Sequence, residues 1–380
     1  MVGITLREPQ THERARLTVL DTWTRIKPLD APINRTLVDK ALELKRRTNA
    51  FLVVHSYQRL EVKALADVVG DSFNLTKAAL NLAKDRVVIH CTVEFMAQTT
   101  KILRPDLRVI VPSHLAGCGL ADYITGAQIR TWRKQEAARL GIPESQLPLV
   151  LYVNSYADAK AEADVICTSS NALNVVESLP QANVLFAPDE NLFYSIKGRT
   201  TKNIIAWKGS CPIHQEFTLD MVIAALEATE RETKGKIGVI IHPECTPEVR
   251  EYVMSEVRHT TAVLSTDGMK TFVRENPDVD VWIIGTEIGL IESLREEHPA
   301  KIFKPVYQHK SCDLSCVCPY MKSISIEGII EVLSALAEGN FTALQQYGKV
   351  IEVSEEFIPH ARVAIERMVA VGRGDGHVGY

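Results

Sequence analysis

The sequence predicts an α/β protein built on parallel sheets. Three observations lead there: short β-branched runs recur along the chain, helical stretches separate them, and polar residues gather just after the runs. The first part holds FLVVHS (51–56), RVVIHC (86–91) and LRVIVPS (107–113), alternating with helices expected over EVKALADVVG (61–70) and FMAQTTKIL (95–103). The second holds LVLYVNS (149–155), ADVICTSS (163–170), NVLFAP (183–188) and NIIAWKG (203–209). The third repeats the theme with KIGVIIHPE (236–244), TAVLST (261–266), DVWIIGTE (280–287) and KIFKPVY (301–307), preceded by an amphipathic helix over 218–235 that stops at Gly235. Helices near 325–337 and 354–371 close the chain. Residues 1–35, with Pro9, Pro28 and Pro32, read as a peripheral arm, and 373–380 as a flexible tail.

A chain of 380 residues exceeds the size at which one core stops growing, so two or three domains are expected. A formal net charge of -4 argues against a nucleic-acid surface and fits a small anionic or neutral substrate. With no apolar run of the length a membrane span needs and no apolar leader, a cytoplasmic protein with no membrane partner is expected. No Walker A sequence is present and no G-x-G-x-x-G follows a strand, so those nucleotide sites are not expected.

Ligands of such sheets bind beyond the carboxyl ends of the strands. Those positions carry His55, Cys91, Ser113, Asn154, Ser169, His242 with Glu244, Ser265 with Thr266, and Thr286 with Glu287, while Cys211 lies just past a strand. Singly, each serine, threonine or asparagine reads as a helix cap; together they favour one central site. Acid–base candidates are His55, Tyr57, His214, His242 and Glu244, and the loops TSSN (168–171) and STDG (265–268) have the form of anion-binding helix starts.

Eight cysteines in a chain of this length do not form a secreted disulfide framework, which leaves metal binding or catalysis as their special uses. Three fall in SCDLSCVCPYMK, with C-x3-C-x-C spacing that matches neither a zinc ribbon nor a small ferredoxin. Cys91, Cys211 and Cys318 are 120 and 107 residues apart, and 118 residues remain in 36–91 plus 319–380. Three near-equal units, each ending in a cysteine, would point three thiolates at one centre, an arrangement that suits an iron–sulfur cluster with one open iron. Cys118, Cys167 and Cys245 read as packing residues near strand ends, Cys118 and Cys245 with the option of lining the site.

An ordered series of motifs then resembles the quinolinate synthase family. It includes HSYQRLEVKALADVVGDS (55–72), CTVEFMAQTTKIL (91–103), AGCGLAD (116–122), YVNSYADAKAEADVICTSSNA (152–172), FAPDENL (186–192), WKGSCPIH (207–214), HPEC (242–245), GTEIGL (285–290) and CPYMK (318–322). The resemblance implies three similar αβα domains around a pseudo-threefold axis with the active site at the centre. Expected boundaries are 36–92 with 319–372, then 93–211, then 212–318. It implies condensation of iminoaspartate with dihydroxyacetone phosphate to quinolinate, phosphate and two waters in NAD biosynthesis, with coupling to an L-aspartate oxidase or dehydrogenase that supplies iminoaspartate. It implies a [4Fe-4S] cluster on Cys91, Cys211 and Cys318. Glu244 is the expected proton shuttle, assisted by Tyr57 and His242, with His55, Ser72, Tyr152, Asn154, Ser169, His214, Ser265 and Thr266 binding substrate. Cys312 and Cys316 are expected to modulate the site while Cys318 binds iron; relatives can pair the two earlier thiols at C-x2-C-x2-C spacing, and the C-x3-C-x-C spacing here leaves that disulfide open. The competing readings are a hydro-lyase with an open-iron cluster and a metal or redox sensor in which the cysteine cluster is a structural knuckle.

Overall fold

The computed structural model describes residues 33–306 and 316–372, and it is α/β throughout. Twelve strands form three four-stranded parallel sets. They are β1 (Phe51–His55), β2 (Val68–Gly70), β3 (Val87–Cys91) and β4 (Arg108–Val111); β5 (Leu149–Tyr152), β6 (Val165–Cys167), β7 (Asn183–Ala187) and β8 (Asn203–Ala206); and β9 (Ile237–Ile241), β10 (Thr260–Val263), β11 (Val281–Gly285) and β12 (Ile302–Pro305). The orders β2-β1-β3-β4, β6-β5-β7-β8 and β10-β9-β11-β12 are the same topology three times. In each, the first and third strands are neighbours, so the chain direction reverses between them and leaves a crevice at their carboxyl ends. The strands read as unbroken apolar runs because helices cover both faces; β5, β9 and β11 are buried at every position.

Three details depart from the sequence reading. The helix expected over 61–70 is one turn, Leu60–Lys63, after which the β-branched pair Val68–Val69 enters the first sheet as β2. Its register is pinned by Asp67, whose N–H meets the Leu52 carbonyl and whose carboxylate accepts the Leu52 N–H at 2.8 Å. A thirteenth strand, β13 (Lys349–Val350), pairs antiparallel with β4, the one antiparallel pairing among the described residues. The boundary expected at 92 falls between β3 and β4, two strands of one sheet, because both bury apolar faces on the same core. The segment closing the chain is also shared: helix 326–338 packs on helix 35–48, whereas helix 358–371 packs on β6 and helix 157–161. No described helix is long and apolar enough to cross a membrane.

Candidate functional site

A cavity with about 740 Å3 of empty space lies where the carboxyl ends of the three sheets meet. Each crevice contributes. From β1 come His55 and Tyr57; from β5, Tyr152 and Asn154; from β9, His242 and Glu244; and Glu287 follows β11. Ser72, Ser169, His214 and Thr266 complete the polar lining that the sequence predicted. Ser265 does not reach it; it caps helix 266–275 and leaves Thr266, at the first turn, facing the cavity.

The thiols are arranged differently from expectation. Cys118, Cys211 and Cys318 line the cavity, and Cys91 does not. Cys91 is the last residue of β3, fully buried in the apolar core. Cys118, Cys211 and Cys318 instead occupy equivalent places, each on the loop after the fourth strand of its set, β4, β8 or β12. Cys211 and Cys318 are alike in detail, since each caps a short helix whose first residue is proline. The equal spacing that favoured Cys91 counted residues, whereas the fold repeats strands. Cys245 and Cys167 are buried away from the cavity, and Cys312 lies outside the described residues.

Burial raises the pKa of all three lining thiols: Cys318 is pushed up to about 12, Cys118 is raised further by the charge of Cys318, and Cys211 by those of Glu244 and Cys118. Thiols that repel one another's ionisation in a desolvated pocket are a donor set for a cationic, sulfur-seeking group. Cys211 Sγ, His214 Nδ1 and a Glu244 oxygen also lie within 4.8 Å of one another, a spacing that suits a metal ion.

The acid–base groups form a connected array. Tyr152 Oη donates to Glu244 Oε1 at 2.5 Å, and His214 Nδ1 lies 2.9 Å from Glu244 Oε2. Burial alone would raise the Glu244 pKa, but His242, His214 and these hydrogen bonds outweigh it and hold the carboxyl below its ordinary value. With Nδ1–H given to Glu244, His214 Nε2 accepts from Thr286 Oγ1 at 3.0 Å. Thr286 in turn meets Tyr57 Oη at 2.9 Å, and Thr266 Oγ1 donates to the same phenol at 2.9 Å. The donors therefore run in one direction, from Thr266 through Tyr57, Thr286 and His214 to Glu244. Thr286, which the sequence offered only as a strand-end residue, is the link that joins Tyr57 to His214.

Burial pushes His55 and His242 down to about 3, His55 further by Lys63 and Lys322 and His242 by His214. Both are neutral near pH 7. The Nδ1 of His55 accepts the Tyr57 N–H at 3.1 Å and that of His242 accepts the Glu244 N–H at 3.3 Å, so each carries its proton on Nε2. Among the described residues no lysine or arginine lines the cavity; the positive field comes from Lys63, Lys322 and Lys270 behind it.

A family model described as "Quinolinate synthetase A protein" matches residues 39–370. A quinolinate synthase of Dehalococcoides mccartyi is 37% identical over 332 residues, which are 87% of this chain and 97% of the relative. One from Thermodesulfovibrio yellowstonii is 36% identical over 340 residues, 89% and 99% of the two chains. A quinolinate synthase 1 of Mesorhizobium japonicum is 35% identical over 354 residues, 92% and 97%. Similarity of this extent runs through all three sheets and every loop that lines the cavity, and the chain belongs to the quinolinate synthetase A family.

Proposed function

We propose that the chain is a cytoplasmic quinolinate synthase of NAD biosynthesis, condensing iminoaspartate with dihydroxyacetone phosphate to give quinolinate, phosphate and two waters. The observation that carries this reading is the meeting of three thiols, one from each sheet, with the Tyr152–Glu244–His214 array in one cavity. Cys118, Cys211 and Cys318 would hold a [4Fe-4S] cluster. With three protein ligands such a cluster keeps one iron open and supplies a Lewis acid for the departing oxygens.

The chain's own groups supply proton transfer and binding. Glu244, ionised and poised by two donors, takes a proton from substrate at a carboxylate oxygen and returns it to a leaving hydroxyl. Tyr57, whose phenol burial keeps protonated, accepts from Thr266 and passes its Oη proton toward Glu244 through Thr286 and His214, so that Glu244 is reprotonated along the array. The neutral Nε2–H groups of His55 and His242, the Asn154 amide, the Ser72 and Ser169 hydroxyls and the start of helix 266–275 give donors to phosphate and carboxylate without placing a fixed cation against them. A partner enzyme that oxidises L-aspartate would supply the unstable imine.

The test is quinolinate formation from freshly generated iminoaspartate and dihydroxyacetone phosphate by anaerobically reconstituted protein. Turnover that tracks iron content and vanishes in Cys211→Ala supports the reading. Full iron loading with no quinolinate overturns it.

A further inference from the structure

Two buried ionisable residues, Glu287 at the cavity wall and Lys322 behind it, have no proton-transfer or substrate-binding role in the chemistry above. Glu287 and Lys322 form an ion pair at 3.1 Å with both side chains wholly inaccessible. Every oxygen of Glu287 is committed. Oε2 accepts the Gly289 N–H at 2.7 Å, capping helix 288–297, and Oε1 accepts the Cys318 N–H at 3.2 Å. Lys322 donates to the backbone carbonyl of Tyr57. The pair thus ties three loops together: the one after β1 that carries Tyr57, the one after β11, and the one that carries Cys318. Packing there leaves no slack, because a Cβ at Gly289 would overlap the Tyr57 carbonyl and sit 2.7 Å from Lys322 Nζ.

The threefold repeat shows what is special about this pair. In the second sheet the matching acid is Asp189, also two residues past the third strand, also capping its helix, and also facing the N–H of its cysteine, Cys211. The residue matching Lys322 is Gln215, four past the cysteine, which accepts from Ser210 instead. In the first sheet the acid's place is taken by Val93, which makes no side-chain cap. The carboxyl recurs in two units and its lysine partner occurs in one, where the Cys318 loop meets the Tyr57 loop.

We propose that Glu287 and Lys322 are positioning residues that set Cys318 in register with Tyr57. They act through the Cys318 N–H and the Tyr57 carbonyl and touch no reacting atom. A buried pair contributes specificity of arrangement more than stability, since apolar residues of similar volume commonly pack as well. The consequence for turnover rests on the reading of Cys318 as a cluster ligand; the positioning itself does not.

Alkylation of the full-length, iron-free protein by iodoacetamide, followed cysteine by cysteine with mass spectrometry, tests it. In Glu287→Gln and Lys322→Met, Cys318 should react at least about tenfold faster while Cys211 keeps its rate. The double variant Glu287→Leu with Lys322→Met should melt within a few degrees of the parent and still show the faster Cys318. After anaerobic reconstitution, kcat per iron-loaded chain should fall at least about tenfold with KM held within about twofold, as expected of a misplaced group. Unchanged Cys318 reactivity in the folded variants, or equal acceleration of Cys211, overturns the proposal. A parent protein that takes up no iron would refute the cluster reading alone, because the alkylation result stands without it.

Discussion

Tyr152 Oη donates a 2.5 Å hydrogen bond to Glu244 Oε1, joining the end of β5 in the second sheet to the loop after β9 in the third. Both side chains are buried, and Glu244 has a second donor in His214 at 2.9 Å. Two donors on one buried carboxylate define its orientation and favour its charged form, and each charge-assisted bond contributes on the order of 1.5–3 kcal/mol. The site is thus assembled across sheets, and the carboxylate proposed as its proton acceptor is held by groups fixed on two different sheets.

Glu244→Gln should lower kcat by roughly 10²–10⁴, the usual weight of a proton-transfer group. Tyr152→Phe should cost less, about tenfold to a hundredfold, and should leave a signature that Glu244→Gln cannot. Losing a donor to the carboxylate raises its pKa, so the acid limb of the kcat profile should move to higher pH. A Tyr152→Phe profile superimposable on that of the parent would show that the hydrogen bond does not poise Glu244.

Thr286 offers a sharper test of the array, because it enters the array through its hydroxyl alone. Thr286→Val keeps the shape and removes the link between Tyr57 and His214, and a drop in kcat of about tenfold or more is expected. Thr286→Ser keeps the hydroxyl and should restore most of the loss. Equal damage in both variants would make the residue a packing element.

Iron binding separates the two candidate third thiols. Cys118→Ala should lose iron on anaerobic reconstitution, and Cys91→Ala, at the buried end of β3, should keep it with a modest loss of stability. How far the sequence could be read is visible in this pair. Parallel strands announced themselves by β-branched runs between turns, and strand ends led directly to His55, Asn154, His242 and Glu244. β2 was hidden because Val68–Val69 sits at the end of an apolar stretch that also fits a helix. Residue count and the resemblance both point to Cys91, but loops of unequal length spoil such a count and the fold repeats strands. Counting strands points instead to the cavity-lining Cys118, since AGC, GSC and CVC all follow a fourth strand. The Glu287–Lys322 pair had no local signal, as its members are 35 residues apart.

Acid should destabilise the protein through His90. Burial pushes this histidine down to about 3, and it is held between Thr92 Oγ1 at 2.6 Å and Thr100 Oγ1 at 2.9 Å, outside the lining of the central cavity. The unfolded chain binds the proton near pH 6.5 while the folded chain resists it, so between those values the unfolded state holds more protons and stability falls as pH falls. The contribution is on the order of 1–4 kcal/mol across that window. In His90→Gln the melting temperature should depend less steeply on pH from 6.5 to 3. An unaltered slope would mean that His90 takes up its proton without unfolding.

The sheet that carries Glu244 and Thr286 depends on one glycine. Gly238 in β9 is in register with Trp282 in β11, and a Cβ at 238 would overlap the six-membered ring of the indole. Trp282 is fully buried and its Nε1 has no hydrogen-bond partner, so its contribution is packing alone. Gly238→Ala should therefore destabilise by about 1–3 kcal/mol through overpacking, and Trp282→Leu by roughly 2–4 kcal/mol through the space it vacates. The two lesions are complementary in volume, which makes the double variant informative. If the indole is what excludes a side chain at 238, Gly238→Ala in the Trp282→Leu background should cost much less than alone, a favourable coupling of 0.5 kcal/mol or more in a denaturant double-mutant cycle. Strict additivity would locate the cost of a side chain at 238 in the β9 backbone and not in the indole packed across it.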